Sequence, residues 1–210
     1  MTLASMILTA VAMTTAGSVI LAHASSPSGG QSSSGPGTAQ TAGTWMDTEL
    51  RNWNEPPLSL PRVTSAEPLS EGGRCQLTPR DETPSERALA EAGWFPFLLF
   101  DRRLAEEGIE IVGGMTGVDG MCRPMEFNAF VFLDGRFAGT LAPDVMSSRE
   151  DGSIGVVRIL DRDTVSAEFA RYAAADALCC PSRRMTVRYR ITRGDATHIA
   201  PTDVRTTREF

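Results

Sequence analysis

Four cysteines are the residues of this chain whose types and spacing most directly indicate chemistry. Cys179 and Cys180 are adjacent, whereas Cys75 and Cys122 stand far apart. No Cys-x-x-Cys pair, a common setting for an activated thiolate, is present. Cysteines that follow an apparent export signal indicate disulfides formed in an oxidising compartment. We therefore predict that all four cysteines are oxidised.

The pairing of these cysteines follows from backbone geometry. A bond between neighbours closes a very small ring through a peptide that resists leaving planarity. In an extended chain, Cys179 and Cys180 point to opposite sides and can reach different segments. We predict bonds from Cys122 to Cys179 and from Cys75 to Cys180, with the swapped pairing as the alternative.

A soft-metal site is a rival interpretation of one of these cysteines. Cys122 lies within eleven residues that also contain Met115, Met121 and Met125. Thiolate and thioether ligands suit Cu(I), although methionines more often fill protein cores. Copper handling is therefore kept as an alternative, and we expect no cofactor.

Two pairs of carboxylates offer a hydrolytic alternative. Asp161 with Asp163, or Glu150 with Asp151, could act as the acid and base of glycosidic cleavage. Both pairs stand at predicted turns, where aspartate is common for backbone reasons. We therefore expect a protein that is not an enzyme, with a carboxylate-dependent envelope hydrolase as the alternative.

The composition excludes several chemistries. All 20 basic residues are arginine, which rules out Schiff bases, a phosphate-loop lysine and a Ser-x-x-Lys nucleophile. His23 lies in the apparent export signal, so a His-rich zinc site is excluded and a Ser-His-Asp triad would need His198. The net charge of −6 is spread over interspersed charges, so no nucleic-acid partner is expected.

One basic stripe has no acidic residue between Pro181 and Gly194. Its members are Arg183, Arg184, Arg188, Arg190 and Arg193. Charged side chains on an exposed face or an edge strand discourage unwanted strand pairing, and we favour this interpretation. The alternative is a binding site for an anionic ligand, which the arginine fork would recognise.

The chain divides into four parts. We predict a signal peptide at 1–24 that ends in an Ala-x-Ala cleavage signature, with an uncleaved membrane anchor as the alternative. A flexible Ser/Gly/Pro-rich linker follows at 25–73, and Trp45 and Trp53 within it are candidates for docking on the domain. A folded domain spans 74–193, and a loose tail spans 194–210.

The predicted domain is an α+β fold of two layers. A capping box at Thr83 predicts one helix, and Asp101 to Glu107 is interpreted as a second. Alternating apolar residues predict a five-stranded antiparallel meander, whose first hairpin turns at Asp134-Gly135. The strands are expected at about 127–133, 137–141, 154–160, 165–172 and 185–191. The short N-terminal helices are expected to cover one face of this sheet, with disulfides linking the parts.

Five motifs carry a family resemblance. They are residues 116–124 (TGVDGMCRP), 130–135 (FVFLDG), 137–141 (FAGTL), 169–172 (FARY) and 176–182 (DALCCPS). Together they resemble the LppP/LprE-type lipoproteins of actinobacteria over roughly 95–193, without the lipidation cysteine of that family. The resemblance implies an exported envelope protein with no established enzymatic activity. The expected location is periplasmic, cell-surface or secreted, and the expected partner is an envelope component or protein. Membrane contact is expected only through an uncleaved N-terminal segment.

Overall fold

A computed structural model of the protein describes residues 44–64, Cys75 and residues 81–208. The predicted signal peptide and the linker before residue 44 lie outside these residues. Within the described ranges, no helix has the length and apolar character needed to span a membrane.

Strands are the main regular structure, with 44% of the residues, and the described part of the chain has a single α-helix, α1, at Pro84–Glu91. The strands are β1 (Phe95–Phe97), β2 (Leu104–Glu106), β3 (Ile109–Met115), β4 (Gly117–Val118), β5 (Pro124–Met125), β6 (Asn128–Leu133), β7 (Arg136–Thr140), β8 (Ile154–Asp161), β9 (Thr164–Arg171), β10 (Arg183–Thr192) and β11 (His198–Arg208). Two short 3₁₀ turns lie at Trp45–Asp47 and Leu99–Asp101.

The strands form two antiparallel sheets and a small ribbon. The first sheet has the order β1-β3-β6-β7, and β2 also pairs with β3. The second sheet has the order β11-β10-β9-β8, and β4 pairs with β5 as a separate two-stranded ribbon. One apolar core contains side chains from both sheets, so the two sheets pack face to face.

Alternation along the strands builds this core. Val131 and Leu133 of β6 face Val187 and Tyr189 of β10 across the same buried cluster. The Tyr189 hydroxyl donates a hydrogen bond to the carbonyl of Leu141. Burial raises the pKa of Tyr189 well above its ordinary value, so the hydroxyl remains a donor.

The outer face of β6 has its own cover. Phe130 and Phe132 pack in a second cluster with Leu89 of α1 and with Trp94. The predicted capping box is confirmed, since the Thr83 side chain accepts from the N–H of Glu86 and the Glu86 carboxylate accepts from the N–H of Thr83. One helix therefore covers the aromatic face, as expected.

The predicted fold class is nevertheless wrong. Within the described residues the protein is mostly β, with two packed sheets, a two-stranded ribbon and one helix, and not a five-stranded meander covered by several helices. The five predicted strands exist as β6 to β10, and the Asp134-Gly135 turn is confirmed by its positive φ angles. Residues 141–153 carry the chain from the first sheet to the second, so strands adjacent in sequence do not all pair.

Two local predictions fail for identifiable reasons. The expected second helix contains β2, because Glu107 and Gly108 both adopt positive φ and turn the chain into a β2–β3 hairpin. The expected loose tail contains β11, which pairs along β10. Ile199 of β11 is fully buried. Most other residues of this strand are polar, and such a composition is also typical of a loose tail.

The N-terminal segment packs on the domain through its tryptophans and one asparagine. Trp45 makes an edge contact with Phe169, with ring centroids 5.2 Å apart. Trp53 Nε1 donates to the carbonyl of Thr140 at 3.0 Å. Asn54 donates to that carbonyl at 2.8 Å and accepts from the N–H of Thr140 at 3.0 Å. These bonds satisfy backbone groups of β7 beyond its pairing with β6.

Candidate functional site

A cavity of about 530 Å³ lies between β1, the β4–β5 ribbon and the start of β8. One wall is the stretch from Phe97 to Asp101, which contains the 3₁₀ turn after β1. The opposite walls come from the ribbon, through Val118 and Pro124, and from Ile154 of β8. Three elements distant in sequence therefore enclose one space.

Most of the side chains that line the cavity are apolar. Among its 13 described lining residues, Asp101 and Ser148 alone have side chains that are charged or hydroxylated, apart from the disulfide sulfurs. The Ser148 hydroxyl is already engaged, since it donates to the carbonyl of Pro124 at 2.8 Å. A sugar or a nucleotide would need many convergent hydrogen-bonding groups, and the described lining side chains supply few of them. The lining is suited to an apolar ligand.

A disulfide bond between Cys75 and Cys122 belongs to the cavity wall. The two Cα atoms are 5.1 Å apart, within the usual range for a disulfide. The predicted pairings of Cys122 with Cys179 and of Cys75 with Cys180 are therefore wrong. The bond instead ties the segment at Cys75 to the turn of the β4–β5 ribbon.

The second disulfide joins the neighbours Cys179 and Cys180, the bond that the sequence argument excluded. The prediction took the backbone at Cys179 and Cys180 to be extended. The N–H of Cys180 instead donates to the carbonyl of Ala177 at 2.8 Å, and this hydrogen bond closes a turn. Asp176 braces the same loop by accepting from the N–H groups of Ala173 and Ser182. All four cysteines form disulfide bonds, as predicted, but both predicted pairings are wrong.

Asp119 organises the turn of the ribbon beside the cavity. Its carboxylate accepts from the N–H groups of Met121 and Arg123 and from Arg123 Nε at 2.6 Å. The hydrogen bonds from the Arg123 side chain and backbone, followed by that from Met121, lower the pKa of Asp119 to about 2. The backbone of the turn therefore depends on an ionised carboxylate.

Acid should loosen this turn. A carboxyl group whose pKa is lowered by folding contributes stability above its unfolded pKa and loses it as the pH falls through the folded value. We expect the stability of the wild type to decline between about pH 4 and pH 2, because the unfolded pKa of aspartate is about 3.9. Urea unfolding at a series of pH values should show a smaller decline for Asp119→Asn. An identical pH dependence in both proteins would contradict this role.

The methionines of the copper alternative do not converge on a thiolate. Cys122 is bonded to Cys75, and Met115 is buried in the core beside the cavity. Met121 and Met125 point outward and are 69% and 40% exposed. Among the residues described, no three His, Cys, Asp or Glu side chains form a metal-sized group.

The two candidate carboxylate pairs hold turns and salt bridges. Asp161 accepts from the N–H of Asp163, and this hydrogen bond lowers the pKa of Asp161. Asp151 accepts from the N–H of Tyr172 at 2.7 Å and pairs with Arg171 at 3.2 Å. Glu150, the partner of Asp151 in the second pair, is exposed. None of these carboxylates lines the cavity.

His198, the histidine that a triad would need, occupies the first position of β11. Its Nδ1 lies 2.7 Å from the carbonyl of Ala196, so the ring is oriented by the backbone of the preceding turn. His198 is not among the described residues that line the cavity.

The arginine stripe lies on and beside β10, which is a central strand between β9 and β11. The edge-strand interpretation is therefore wrong, whereas the exposed-face interpretation holds for Arg188 and Arg190. Arg184 pairs with Glu168, and Arg193 lies 3.5 Å from carboxylate oxygens of Asp134 and Asp163. Arg183, the first residue of β10, lies near Asp176. The stripe is a surface of mixed charge, and none of its arginines is among the described residues that line the cavity.

Sequence reasoning missed the wall that matters most. The sequence from Trp94 to Phe100 is an apolar run typical of a core segment, and Trp94 and Leu99 are buried. Phe100 instead lines the cavity and is 39% exposed. Two features of the sequence could have indicated this wall. The apolar run is longer than the strand it contains, and the ribbon that shares the cavity is Gly-rich and contains a cysteine.

One of the three comparisons with known proteins finds a match. A family model described as LppP/LprE lipoprotein matches residues 109–194, from the start of β3 to just beyond β10. This match supports the resemblance to the LppP/LprE lipoprotein family that the motifs predict. A lipoprotein family indicates an envelope-associated protein. No curated protein and no solved structure matches the chain.

Proposed function

We propose that this envelope-associated protein is exported, is not an enzyme, and binds an apolar ligand in the cavity. The observation that carries the proposal is a 530 Å³ cavity whose described lining offers one carboxylate and one occupied hydroxyl. Its volume lies within the range of about 300–1,000 Å³ typical of small-ligand sites. Burying an apolar chain there gains roughly 25 cal/mol per Å² of surface removed from water.

The small number of hydrogen-bonding side chains in the cavity indicates which class of ligand it suits. A polar ligand would lose its hydrogen bonds to water and find few replacements among these side chains. An acyl chain loses none, since its methylene groups form no hydrogen bonds. An acyl chain is therefore the ligand that suits the aromatic and aliphatic side chains of the lining, which include Phe97, Phe127 and Ile154.

Fluorescence of cis-parinaric acid, a fatty acid that brightens in apolar surroundings, should test this proposal. The wild type should bind it saturably, and Val118→Phe should weaken binding at least about tenfold by filling the cavity. Val204→Phe makes the same change at a half-exposed position outside the lining and serves as the control.

Two outcomes would contradict the cavity assignment. One is equal affinity in the wild type and in a folded Val118→Phe protein. The other is loss of binding in the Val204→Phe control, which would place the probe elsewhere on the surface. Thermal unfolding of each variant shows whether a change in affinity reflects the cavity or a damaged fold.

A further inference from the structure

The disulfide between Cys179 and Cys180 lies on the surface of the protein. Both cysteines are exposed, and Leu178 beside them is 71% exposed. They belong to the loop between β9 and β10, and neither is among the described residues that line the cavity. A thiol in solution can therefore reach this bond while the protein stays folded.

Hydrogen bonds hold the same loop without help from the disulfide. The Asp176 carboxylate accepts from the N–H of Ala173 at 2.7 Å and from the N–H of Ser182 at 2.8 Å, so it ties the two ends of the loop together. Between these ends, the Tyr172 hydroxyl donates to the carbonyl of Leu178 at 2.9 Å. We therefore expect the loop to keep its shape when the disulfide opens.

The two disulfides of the protein differ in how easily they should be reduced. The Cys179–Cys180 bond closes a small ring through a peptide group that resists leaving planarity. Its Cα atoms are 3.8 Å apart, whereas disulfides usually span about 4.4–6.8 Å. The Cα atoms of Cys75 and Cys122 have an ordinary separation of 5.1 Å. Since constrained and exposed disulfides are the ones most readily reduced, the bond between the neighbours should open first.

We propose that Cys179 and Cys180 form a thiol–disulfide exchange site that accepts two electrons from a dithiol. A thiolate of the dithiol attacks one sulfur of the bond and displaces the other as a thiolate, which leaves a mixed disulfide. The second thiolate of the dithiol then resolves this mixed disulfide. The dithiol leaves oxidised to a disulfide, and its two protons pass to Cys179 and Cys180, which become thiols. This exchange does not use the cavity, so it does not depend on the proposed function.

Reduction of the full chain in mixtures of reduced and oxidised dithiothreitol tests the proposal. Thiols are trapped with N-ethylmaleimide, and peptide mass measurement gives the reduced fraction of each pair. We expect Cys179 and Cys180 to be half reduced at a ratio of reduced to oxidised dithiothreitol at least about tenfold lower than Cys75 and Cys122 require, a difference of about 30 mV. The Cys179→Ala/Cys180→Ala variant is the matched control and should contain no trapped thiol at those low ratios.

Tryptophan fluorescence in the same mixtures shows whether the fold survives, since Trp45 and Trp94 pack against the two apolar clusters. It should stay unchanged while Cys179 and Cys180 alone are reduced, and excess oxidised dithiothreitol should restore their bond. Reduction of the Cys75–Cys122 bond first, or of both bonds at one ratio, would overturn the proposal. A fluorescence change as Cys179 and Cys180 become thiols would also overturn it, because the bond would then be holding the structure.

Discussion

Gly139→Ala is expected to lower the free energy of unfolding by roughly 3–5 kcal/mol, by adding backbone strain and unpaired buried groups. Gly139 has a φ of 130°, which side-chain-bearing residues rarely adopt. A Cβ placed there would lie 2.4 Å from Cγ of the buried Asn54. Moving Asn54 would break its two hydrogen bonds with Thr140 and release the N-terminal segment from β7.

Gly155→Ala provides the matched control for this prediction. Gly155 lies in β8 without a positive φ, and an added Cβ would meet only ordinary contact at 3.8 Å. Urea unfolding should show a large loss for Gly139→Ala and a change within about 0.5 kcal/mol for Gly155→Ala. Similar stabilities for the two variants would contradict the close packing of the N-terminal segment on β7.

The second large effect concerns the two disulfides, which should contribute very different amounts to the free energy of unfolding. The Cys75–Cys122 bond spans 47 residues, and closing a loop of that size is worth about 4 kcal/mol in the chain-entropy model. The Cys179–Cys180 bond spans one residue and removes almost no freedom from the unfolded chain. Double alanine replacement of Cys75 and Cys122 should therefore cost several kcal/mol.

Double alanine replacement of Cys179 and Cys180 is the internal control, because it removes a disulfide without opening a long loop. Guanidinium unfolding should place its stability within about 1 kcal/mol of the wild type, since the closed loop is negligible. Non-reducing peptide mapping of the wild type should recover a crosslink between the Cys75 and Cys122 peptides. A crosslink from either of these peptides to the Cys179–Cys180 peptide would contradict the connectivity described.

Local patterns predicted local structure well in this chain. Period-two alternation located β6 to β10 to within a few residues, and the Thr83 capping box located α1. Both signals depend on contacts between near neighbours in sequence, which the residues themselves encode.

Pairing between distant segments could not be predicted in the same way. Assigning β6 to β10 to one meander assumed that consecutive strands pair, whereas residues 141–153 cross between the sheets. The disulfide partners depend on which segments meet in the fold, and cysteine spacing alone does not contain that information. The cavity was missed for the same reason, because Phe100, Val118 and Ile154 converge only after the sheets have packed.

A crystal structure of the protein with a brominated long-chain fatty acid would show whether the cavity binds an acyl chain. The account predicts anomalous bromine density inside the cavity, in contact with Val118 of the ribbon and Ile154 of β8. Bromine bound only outside the cavity, or a cavity without bromine at saturating fatty acid, would contradict the assignment of this protein as an acyl-chain-binding domain.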